Sequence, residues 1–275
     1  MTLAVINKFN APPPNAVPLK LKCETNVDLS QMYRYCKVAM ASGFPILQER
    51  GRIREQPLVI VGDSPDLPDY VSELSLLKQS GAHIMAVKRT HDWLIARGII
   101  PDSAVACDAQ RDCADLFKLK RPGITYYLGS ICHPDTWENM RGHSVVIWHP
   151  KLDGYQDIAP EWKGIKKVYG GNTTGLRAIS LAYIRGYRNQ TLVGFASCVT
   201  SKNVLRATGA KTFTEDNPFP VHYAGRKFWT TVSLAQQVND LMPTLKMCPG
   251  IKIDVIGDGA LPHVLRSGKQ LGWPV

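Results

Sequence analysis

The sequence predicts an α/β fold of the Rossmann-like type, with a doubly wound, mostly parallel sheet that carries helices on both faces and follows an N-terminal extension. From Pro57 onward, short apolar runs alternate with amphipathic segments of helical spacing. That alternation is typical of parallel strands joined by right-handed helical crossovers. We therefore divide the chain into an extension over residues 1–56 and a Rossmann-like domain over residues 57–275.

The apolar runs give the predicted strands in order, and each is four to six residues long. Continuous apolar character without alternation is expected of strands that are covered on both faces. The predicted strands are 58–61, 83–87, 104–107, 124–128, 144–148, 191–195 and 251–256. The predicted helices between them are 70–80, 92–97 and 174–185.

The N-terminal extension opens with a proline-rich segment, residues 11–15, which favours extended backbone and excludes a helix. Asp28 is placed to cap a helix over residues 29–41, in which Met32, Cys36 and Met40 recur at helical spacing. Residues 48–56 are charged and predict a linker or a frayed second helix.

Near the other end, apolar residues at helical spacing predict a helix that stops at Pro243. Those residues are Trp229, Val232, Ala235, Val238 and Met242.

Composition limits the class of protein. The 275 residues carry a net charge of +10, from 33 Lys and Arg against 23 Asp and Glu, which favours a polyanionic partner: nucleotide phosphates, nucleic acid or an anionic surface. Cations scattered along the chain, as here, more often form only a solvated basic surface, which is the alternative. We find no apolar window near ~20 residues and no signal-peptide pattern, so we expect a soluble, cytoplasmic protein. Seven cysteines without a Cys-x-x-Cys pair indicate reduced thiols. Oligomeric state is not indicated.

The first candidate loop is Gly62-Asp63-Ser64-Pro65, directly after the first predicted strand. Gly62 permits a tight turn and the close approach of a ligand, at the place where α/β proteins bind nucleotides. The run matches neither the dinucleotide fingerprint nor the P-loop. An ordinary strand-to-helix turn is the alternative.

Two further loops follow the next two predicted strands. Lys88, Arg89 and Thr90 offer two cations and a hydroxyl to phosphates, although Thr90 could simply cap a helix. Asp108 and Arg111 follow the third strand, where a carboxylate can hold a divalent cation or a ribose hydroxyl, or cap the next helix.

His133 and His149 follow the fourth and fifth predicted strands and are candidate general acids or bases, because imidazole titrates near neutral pH. Hydrogen-bonded structural histidines are the alternative. A zinc site that also uses Cys132 and His143 is a further hypothesis, but the spacing fits no zinc signature.

The last candidate loop, residues 170–175, reads Gly-Gly-Asn-Thr-Thr-Gly before a predicted helix. Gly171, Asn172, Thr173 and Thr174 would present backbone N–H groups and the positive end of a helix dipole to an anion. A capped turn without a ligand is the alternative.

Together these motifs resemble the MptE-like family, which is named for archaeal 6-hydroxymethylpterin diphosphokinases. The resemblance rests on the Gly-x-x-Pro turn at Gly62, on Thr90, on residues 98–102 with Asp108, and on Gly-Asn-Thr at Gly171. It covers roughly residues 57 to 200. Related Rossmann-like domains occur in motility accessory factors and bacterial sialyltransferases.

The resemblance implies a nucleotide-binding transferase that moves diphosphate from ATP to a hydroxymethyl group of a small acceptor, assisted by Mg²⁺. It assigns Gly62, Ser64 and Pro65 to the glycine-rich turn, Thr90 to the strand-end threonine, Asp108 to the acidic metal-holding position, and Gly171 to Thr173 to the second loop. Lys88, Arg89 and Arg111 would clamp the phosphates.

The sequence departs from the family pattern at Asp63 and Asp66, and residues 194–198 lack the family's Gly-x-Asp. Two other functions therefore stay open. One is a glycosyltransferase that uses a nucleotide sugar, with His133 or His149 as base, acting on a glycan or modified DNA. The other is a non-catalytic module that binds nucleotides or nucleic acid.

Overall fold

A computed structural model describes residues 3–4, 17–18, 27–47, 52–152, 165–199, 206–209 and 218–273 of the chain. Within them, an eight-stranded sheet forms the centre of the molecule, and all its pairings are parallel. Two smaller sheets accompany it: the parallel pair β1 (Leu3–Ala4) and β2 (Val17–Pro18), and the antiparallel hairpin β10 (Phe219–Tyr223) and β11 (Arg226–Thr230).

The central sheet has the strand order β12-β9-β3-β4-β5-β6-β7-β8. Its strands are β3 (Leu58–Val61), β4 (His83–Val87), β5 (Ser103–Ala106), β6 (Thr125–Gly129), β7 (Ser144–Pro150), β8 (Lys167–Val168), β9 (Asn189–Val193) and β12 (Lys252–Ile256). The predicted strands are confirmed with shifts of one or two residues at their ends, the short β8 being additional.

The described helices are α1 (Leu29–Ala41), α2 (Val71–Gln79), α3 (Thr90–Ile95), α4 (Pro134–Asn139), α5 (Thr174–Ile184), α6 (Val232–Lys246) and α7 (Ala260–Gln270). Short 3₁₀ turns occupy Leu67–Tyr70 and Arg111–Cys113. None of these helices is long and apolar enough to cross a membrane.

Alternate strand residues belong to two separate hydrophobic cores. In β3, Leu58 and Ile60 pack on one face with α5, α6 and α7, whereas Val59 and Val61 pack on the other face with α2, α3 and α4. Both faces are thus covered, which explains why the strand is apolar throughout. The predicted Rossmann-like fold with helices on both faces is confirmed.

Helix α5 is the most enclosed element, because every residue from Thr174 to Ile184 is buried. It packs against β3, β4 and β5 on one side and against α6 on the other. A helix that is apolar nearly all round is expected in such a position. Arg177 is its one charged residue.

Helix α1 confirms the predicted helix in the N-terminal region. The Asp28 carboxylate accepts a hydrogen bond from the Gln31 backbone N–H at 2.8 Å and caps the helix. Met32 and Cys36 pack on Ala109 and Ile131, which follow β5 and β6. Helix α1 therefore covers the loops at the carboxyl edge of the sheet.

The expected C-terminal helix is wrong at both ends. Trp229 belongs to β11, and the helix begins at Val232 and continues past Pro243 to Lys246. Proline removes only one backbone donor, and so close to the end of a helix the loss is tolerated. The hydroxyl of Thr244 donates to the Asp240 carbonyl at 2.7 Å and supports this last turn. The expectations for residues 11–15 and 48–51 lie outside the described residues.

A candidate nucleotide site at the carboxyl edge

The strand order reverses direction at β3. From β3 to β8 the chain adds strands on one side, and it then returns to place β9 and β12 on the other. Ligands of open α/β sheets bind at such a switch point, outside the carboxyl ends of the two strands that flank it. Here those ends continue into Gly62 after β3 and Gly194 after β9.

The two switch-point loops are joined by their backbones. The Gly62 N–H donates to the Val193 carbonyl at 2.8 Å, and the Ser64 N–H donates to the Gly194 carbonyl at 3.1 Å. A Cβ atom on Gly62 would lie 2.4 Å from the Gly194 oxygen. Packing between the loops therefore requires glycine at position 62, and close approach of a ligand there stays a prediction.

Asp63 contacts a short segment, residues 206–209, that sequence reasoning did not consider. Its carboxylate accepts from the Thr208 N–H at 2.9 Å and from the Thr208 hydroxyl at 2.6 Å. Burial raises the pKa of Asp63, although the Thr208 hydrogen bonds and the nearby charges of Arg206 and Arg89 oppose the shift. The chain positions agree: Arg206 precedes Ala207, whose N–H donates to the Asp63 carbonyl at 3.3 Å, and Arg89 precedes Thr90, whose hydroxyl lies at the Val61 carbonyl. Two arginines thus lie close to the turn after β3.

The remaining residues of that turn bond to one another. The buried Ser64 hydroxyl donates to the Asp66 carboxylate, and Pro65 lies between them, half-buried. Burial raises the pKa of Asp66, against the opposing effect of the Ser64 hydrogen bond. The two carboxylates that depart from the family pattern are therefore held within the protein's own hydrogen bonds.

Lys88 and Asp108 form an ion pair across the ends of β4 and β5. The Lys88 Nζ lies 2.5 Å from Asp108 Oδ2, and Asp108 Oδ1 accepts from the Gln110 N–H at 3.1 Å. Burial alone would raise the pKa of Asp108 and lower that of Lys88, but their mutual attraction reverses both shifts. The Lys88 ammonium therefore neutralises the Asp108 carboxylate in this arrangement, and Mg²⁺ binding by Asp108 stays a prediction.

Thr90 joins two strand ends. Its fully buried hydroxyl lies 2.9 Å from the Val61 carbonyl and accepts from the Val87 N–H, also at 2.9 Å. The residue positions the loops after β3 and β4. Arg89 is half-buried beside it and, among the residues that the structure describes, forms no ion pair; the same holds for Arg206.

His133 and Arg111 lie at the rim of this edge. The His133 side chain is 15% exposed, its Nδ1 accepts from the Asp135 N–H at 3.3 Å, and its ring packs edge-on against Tyr35 of α1, 5.3 Å between centroids. The Arg111 side chain is 84% exposed and lies 3.5 Å from the Asp135 carboxylate. Arg111 is therefore solvated rather than directed into an enclosed cleft.

His149 lies within β7 and is buried. Burial, with a smaller effect of Lys167, lowers its pKa to about 4, so the imidazole is neutral at physiological pH. His143 precedes β7 at the amino edge, whereas Cys132 and His133 follow β6 at the carboxyl edge. The zinc hypothesis is therefore wrong for this set, and no three candidate ligands converge anywhere in the described parts of the chain.

The glycine-rich loop before α5 is held by an internal carboxylate. The Asn172 N–H donates to Asp240 Oδ2 of α6 at 3.1 Å, and a Cβ atom on Gly171 would lie 2.2 Å from the same oxygen. Burial raises the pKa of Asp240, opposed by its hydrogen bonds to Gln236 and Asn172. One backbone donor of the predicted anion site is thus already in use.

The two threonines of this loop have structural contacts. The Thr173 hydroxyl accepts from the Leu176 N–H at 3.3 Å and caps α5, as the alternative interpretation expected. The buried Thr174 hydroxyl donates to the Cys107 carbonyl at 3.3 Å and ties α5 to the end of β5.

Sequence reasoning missed several residues at this edge. Arg206, Thr208 and Asp240 belong to segments whose positions follow only from the tertiary fold, and no local pattern marks them. Arg177 did carry a signal, because a single cation stands in the apolar run of α5.

The fold and the edge just described define a Rossmann-like α/β protein whose strand order reverses at β3. The 6-hydroxymethylpterin diphosphokinase MptE-like family matches residues 29–202, more than half of the chain. The chain therefore belongs to the MptE-like family. The match begins at residue 29 rather than near 57, so it includes α1, which the resemblance placed outside.

A solved structure, the MAf glycosyltransferase from Magnetospirillum magneticum AMB-1, is similar with a TM-score of 0.67 and 19% sequence identity. The similarity covers 87% of this chain and 38% of that chain, so this protein spans well under half of the glycosyltransferase's length. At this identity the likeness shows the fold. No curated protein sequence gives a match.

Proposed function

We propose that this protein is a nucleotide-dependent transferase whose co-substrate phosphates bind beside the turn after β3. The observation that carries the proposal is the pair Arg89 and Arg206, two cations close to Asp63 at the switch point that form no ion pair among the described residues. Guanidinium groups bind phosphate oxygens in a bidentate manner, and the carboxyl edge is the usual nucleotide site of such sheets.

Within that class, the reaction that we propose first is diphosphoryl transfer from ATP. An acceptor hydroxymethyl oxygen attacks the β-phosphorus, the bond to the α-phosphate oxygen breaks, the hydroxyl proton passes to a base, and AMP leaves. The family description supports this reaction. Phosphoryl transfer depends mainly on positioning and charge neutralisation, which Arg89, Arg206 and Lys88 would supply.

Mg²⁺ would reach this site on the nucleotide phosphates. Magnesium is commonly held by substrate phosphates with one or two carboxylates rather than by a dedicated protein cage. Since Asp108 is paired with Lys88, the phosphate oxygens of ATP would be the main ligands of Mg²⁺. His133, at the rim of the edge and partly exposed, is the histidine with access to an acceptor, whereas His149 is enclosed.

Glycosyl transfer from a nucleotide sugar is the second candidate. It is favoured by the similarity of the fold to a glycosyltransferase over most of this chain. The same two arginines would hold the phosphate or diphosphate of the nucleotide sugar, and His133 would act as base toward a glycan or modified DNA acceptor. A third candidate is a module that binds nucleotides or nucleic acid without catalysis, to which the net charge of +10 is suited.

The test begins with thermal shifts measured for ATP, CMP-sugars and UDP-sugars, with and without Mg²⁺. A ligand that binds only the native state raises the midpoint of unfolding. Arg89→Gln and Arg206→Gln should each weaken the effective nucleotide about tenfold or more, since a charged hydrogen bond contributes ~1.5–3 kcal/mol. Arg97→Gln, at the far end of α3 and stacked on Trp93, is the matched control.

Activity then separates the candidates. AMP formation from ATP with 6-hydroxymethyl-dihydropterin supports diphosphoryl transfer, and sugar transfer without AMP formation supports the second candidate. Binding without turnover, together with unchanged binding in Asp108→Asn and salt-sensitive binding of polyanions, supports the third. If no nucleotide binds, or if both arginine variants bind like wild type, the proposed site is refuted.

A further inference from the structure

Arg177 is the only charged residue of the fully buried helix α5. It is 8% exposed, so its cation is held almost entirely inside the protein. Charged side chains are seldom buried without a counter-ion, because removing the charge from water is costly.

The contacts of Arg177 leave part of its guanidinium unused. Nη1 donates to the Lys151 carbonyl at 3.3 Å and to the Val168 carbonyl at 3.2 Å, just after β7 and at the end of β8. Among the described residues, no carboxylate lies within ion-pair distance, and Nε and Nη2 have no hydrogen-bond partner. Nε and Nη2 are not fully enclosed by the protein, so both nitrogens retain access to solvent.

Asp240 is the acidic residue whose charge affects Arg177, and its carboxylate is hydrogen-bonded to other groups. Asp240 affects the pKa of Arg177, but its oxygens accept from the Asn172 N–H and from Gln236 Nε2 at 2.7 Å. Burial lowers the pKa of Arg177, which is the direction expected when a cation is desolvated without full compensation. The guanidinium nevertheless stays charged at neutral pH.

We propose that Arg177 binds an anionic group, a carboxylate or a phosphate, of the second substrate at the carboxyl ends of β5, β7 and β8. Two parallel donors, Nε and Nη2, match the geometry of either anion. The group that binds would supply the counter-ion that the described residues do not provide at this position. Thr174, bonded to the Cys107 carbonyl, places this position beside β5.

This inference rests on the proposed function in one respect: it takes the nucleotide to lie at Arg89 and Arg206, beside β3 and β4. The edge of the sheet would then have two cationic ends, one for the nucleotide and one for an anionic acceptor. The proposal accordingly expects an acceptor that carries a carboxylate or phosphate in addition to the group that reacts. 6-Hydroxymethyl-dihydropterin carries neither, so it serves as a probe of the diphosphoryl chemistry and would leave Arg177 without a counter-ion.

The test observes Arg177 directly. In ¹⁵N-arginine-labelled full-length protein, its Nε–H resonance is assigned by its loss in Arg177→Lys, and wild type is titrated with inorganic phosphate and, separately, with acetate. We expect one or both anions to shift this resonance, in wild type and equally in an Arg89→Gln/Arg206→Gln background. Arg177→Gln should bind the effective anion about tenfold to 100-fold more weakly.

Arg188→Gln is the matched control, since Arg188 also donates to a backbone carbonyl, that of Tyr183, and stacks on the Tyr183 ring. It should leave anion binding unchanged. Because Arg177→Gln could fail to fold, the wild-type titration decides by itself: no shift of the Arg177 resonance with either anion overturns the proposal. If instead ATP alone shifts it, and Arg177→Gln and Arg89→Gln weaken ATP equally, one continuous nucleotide site replaces the second-substrate site.

Discussion

The close contact between Gly62 and Gly194 gives a stability prediction whose parts can be separated. A Cβ atom on Gly194 would lie 2.4 Å from the Gly62 oxygen, and Gly194 has φ +76°, whereas Gly62 has no positive φ. Gly123 has φ +85°, and a Cβ atom added there would meet nothing within 4 Å. Alanine at the three sites therefore isolates steric overlap, backbone strain and their combination.

The expected costs follow from the geometry. Gly123→Ala should lower the free energy of unfolding by about 1–2 kcal/mol, the cost of a left-handed L-residue. Gly62→Ala should lower it by about 1–3 kcal/mol, because the overlap is with backbone at a buried strand end that must shift. Gly194→Ala carries both terms, about 2–5 kcal/mol in total.

Urea denaturation followed by circular dichroism measures all three variants, and unchanged m-values would show that the change lies in stability. The reasoning is refuted if Gly62→Ala is as stable as wild type, or if Gly194→Ala costs no more than Gly123→Ala. Either result would mean that the two switch-point loops separate easily.

Three further predictions concern buried polar groups. Thr90→Val should lower the free energy of unfolding by about 1–3 kcal/mol in urea denaturation, because the Val61 carbonyl loses its hydrogen bond to the fully buried Thr90 hydroxyl. Thr90→Ser keeps a hydroxyl and should recover most of the loss. Lys88→Met should lower the free energy of unfolding by about 1–3 kcal/mol, less than for a fully buried ion pair, since the Lys88 and Asp108 side chains are 31% and 20% exposed. Adding Asp108→Asn to Lys88→Met should restore stability. If the single and double variants are equally stable, the ion pair does not have this role. Burial lowers the pKa of His149 from 6.5 to about 4, so His149 takes up a proton at higher pH in the unfolded state than in the folded state. The free energy of unfolding should therefore decrease by up to ~3 kcal/mol as the pH falls from about 6.5 to about 4. His149→Gln should remove that share of the acid sensitivity in thermal melts from pH 7 to about 4.5, and an unchanged pH profile would count against it.

The sequence predicted correctly those elements whose conformation depends on neighbouring residues. The strand β3 and the helix α1 were predicted with their observed limits, because continuous apolar character and an aspartate cap each determine one conformation. The hairpin β10–β11 was missed, since Trp229 fits the helical spacing of the residues after it and is half-exposed on a strand. Tertiary pairing with β10 overrides that spacing.

The candidate site was predictable in position but less so in the role of each residue. Parallel strands bring Gly62, Lys88 and Asp108 to one edge whatever their contacts, so the grouping follows from topology. Whether a side chain is open to a ligand depends on partners far away in sequence. Asp63 bonds Thr208 and Asn172 bonds Asp240, and neither partner can be inferred from the loop that it contacts.

The enclosure of α5 has a consequence for how the chain folds as it is synthesised. The helix can pack on β3, β4 and β5 once residue 184 has emerged, but its other side is covered by α6, residues 232–246, which follow much later. Until then the nascent protein exposes an apolar surface and the bare edge of β9 that β12 will cover. Partly synthesised chains associate through such surfaces, and chaperones bind them. The last third of the sequence is therefore needed to complete the hydrophobic core around α5.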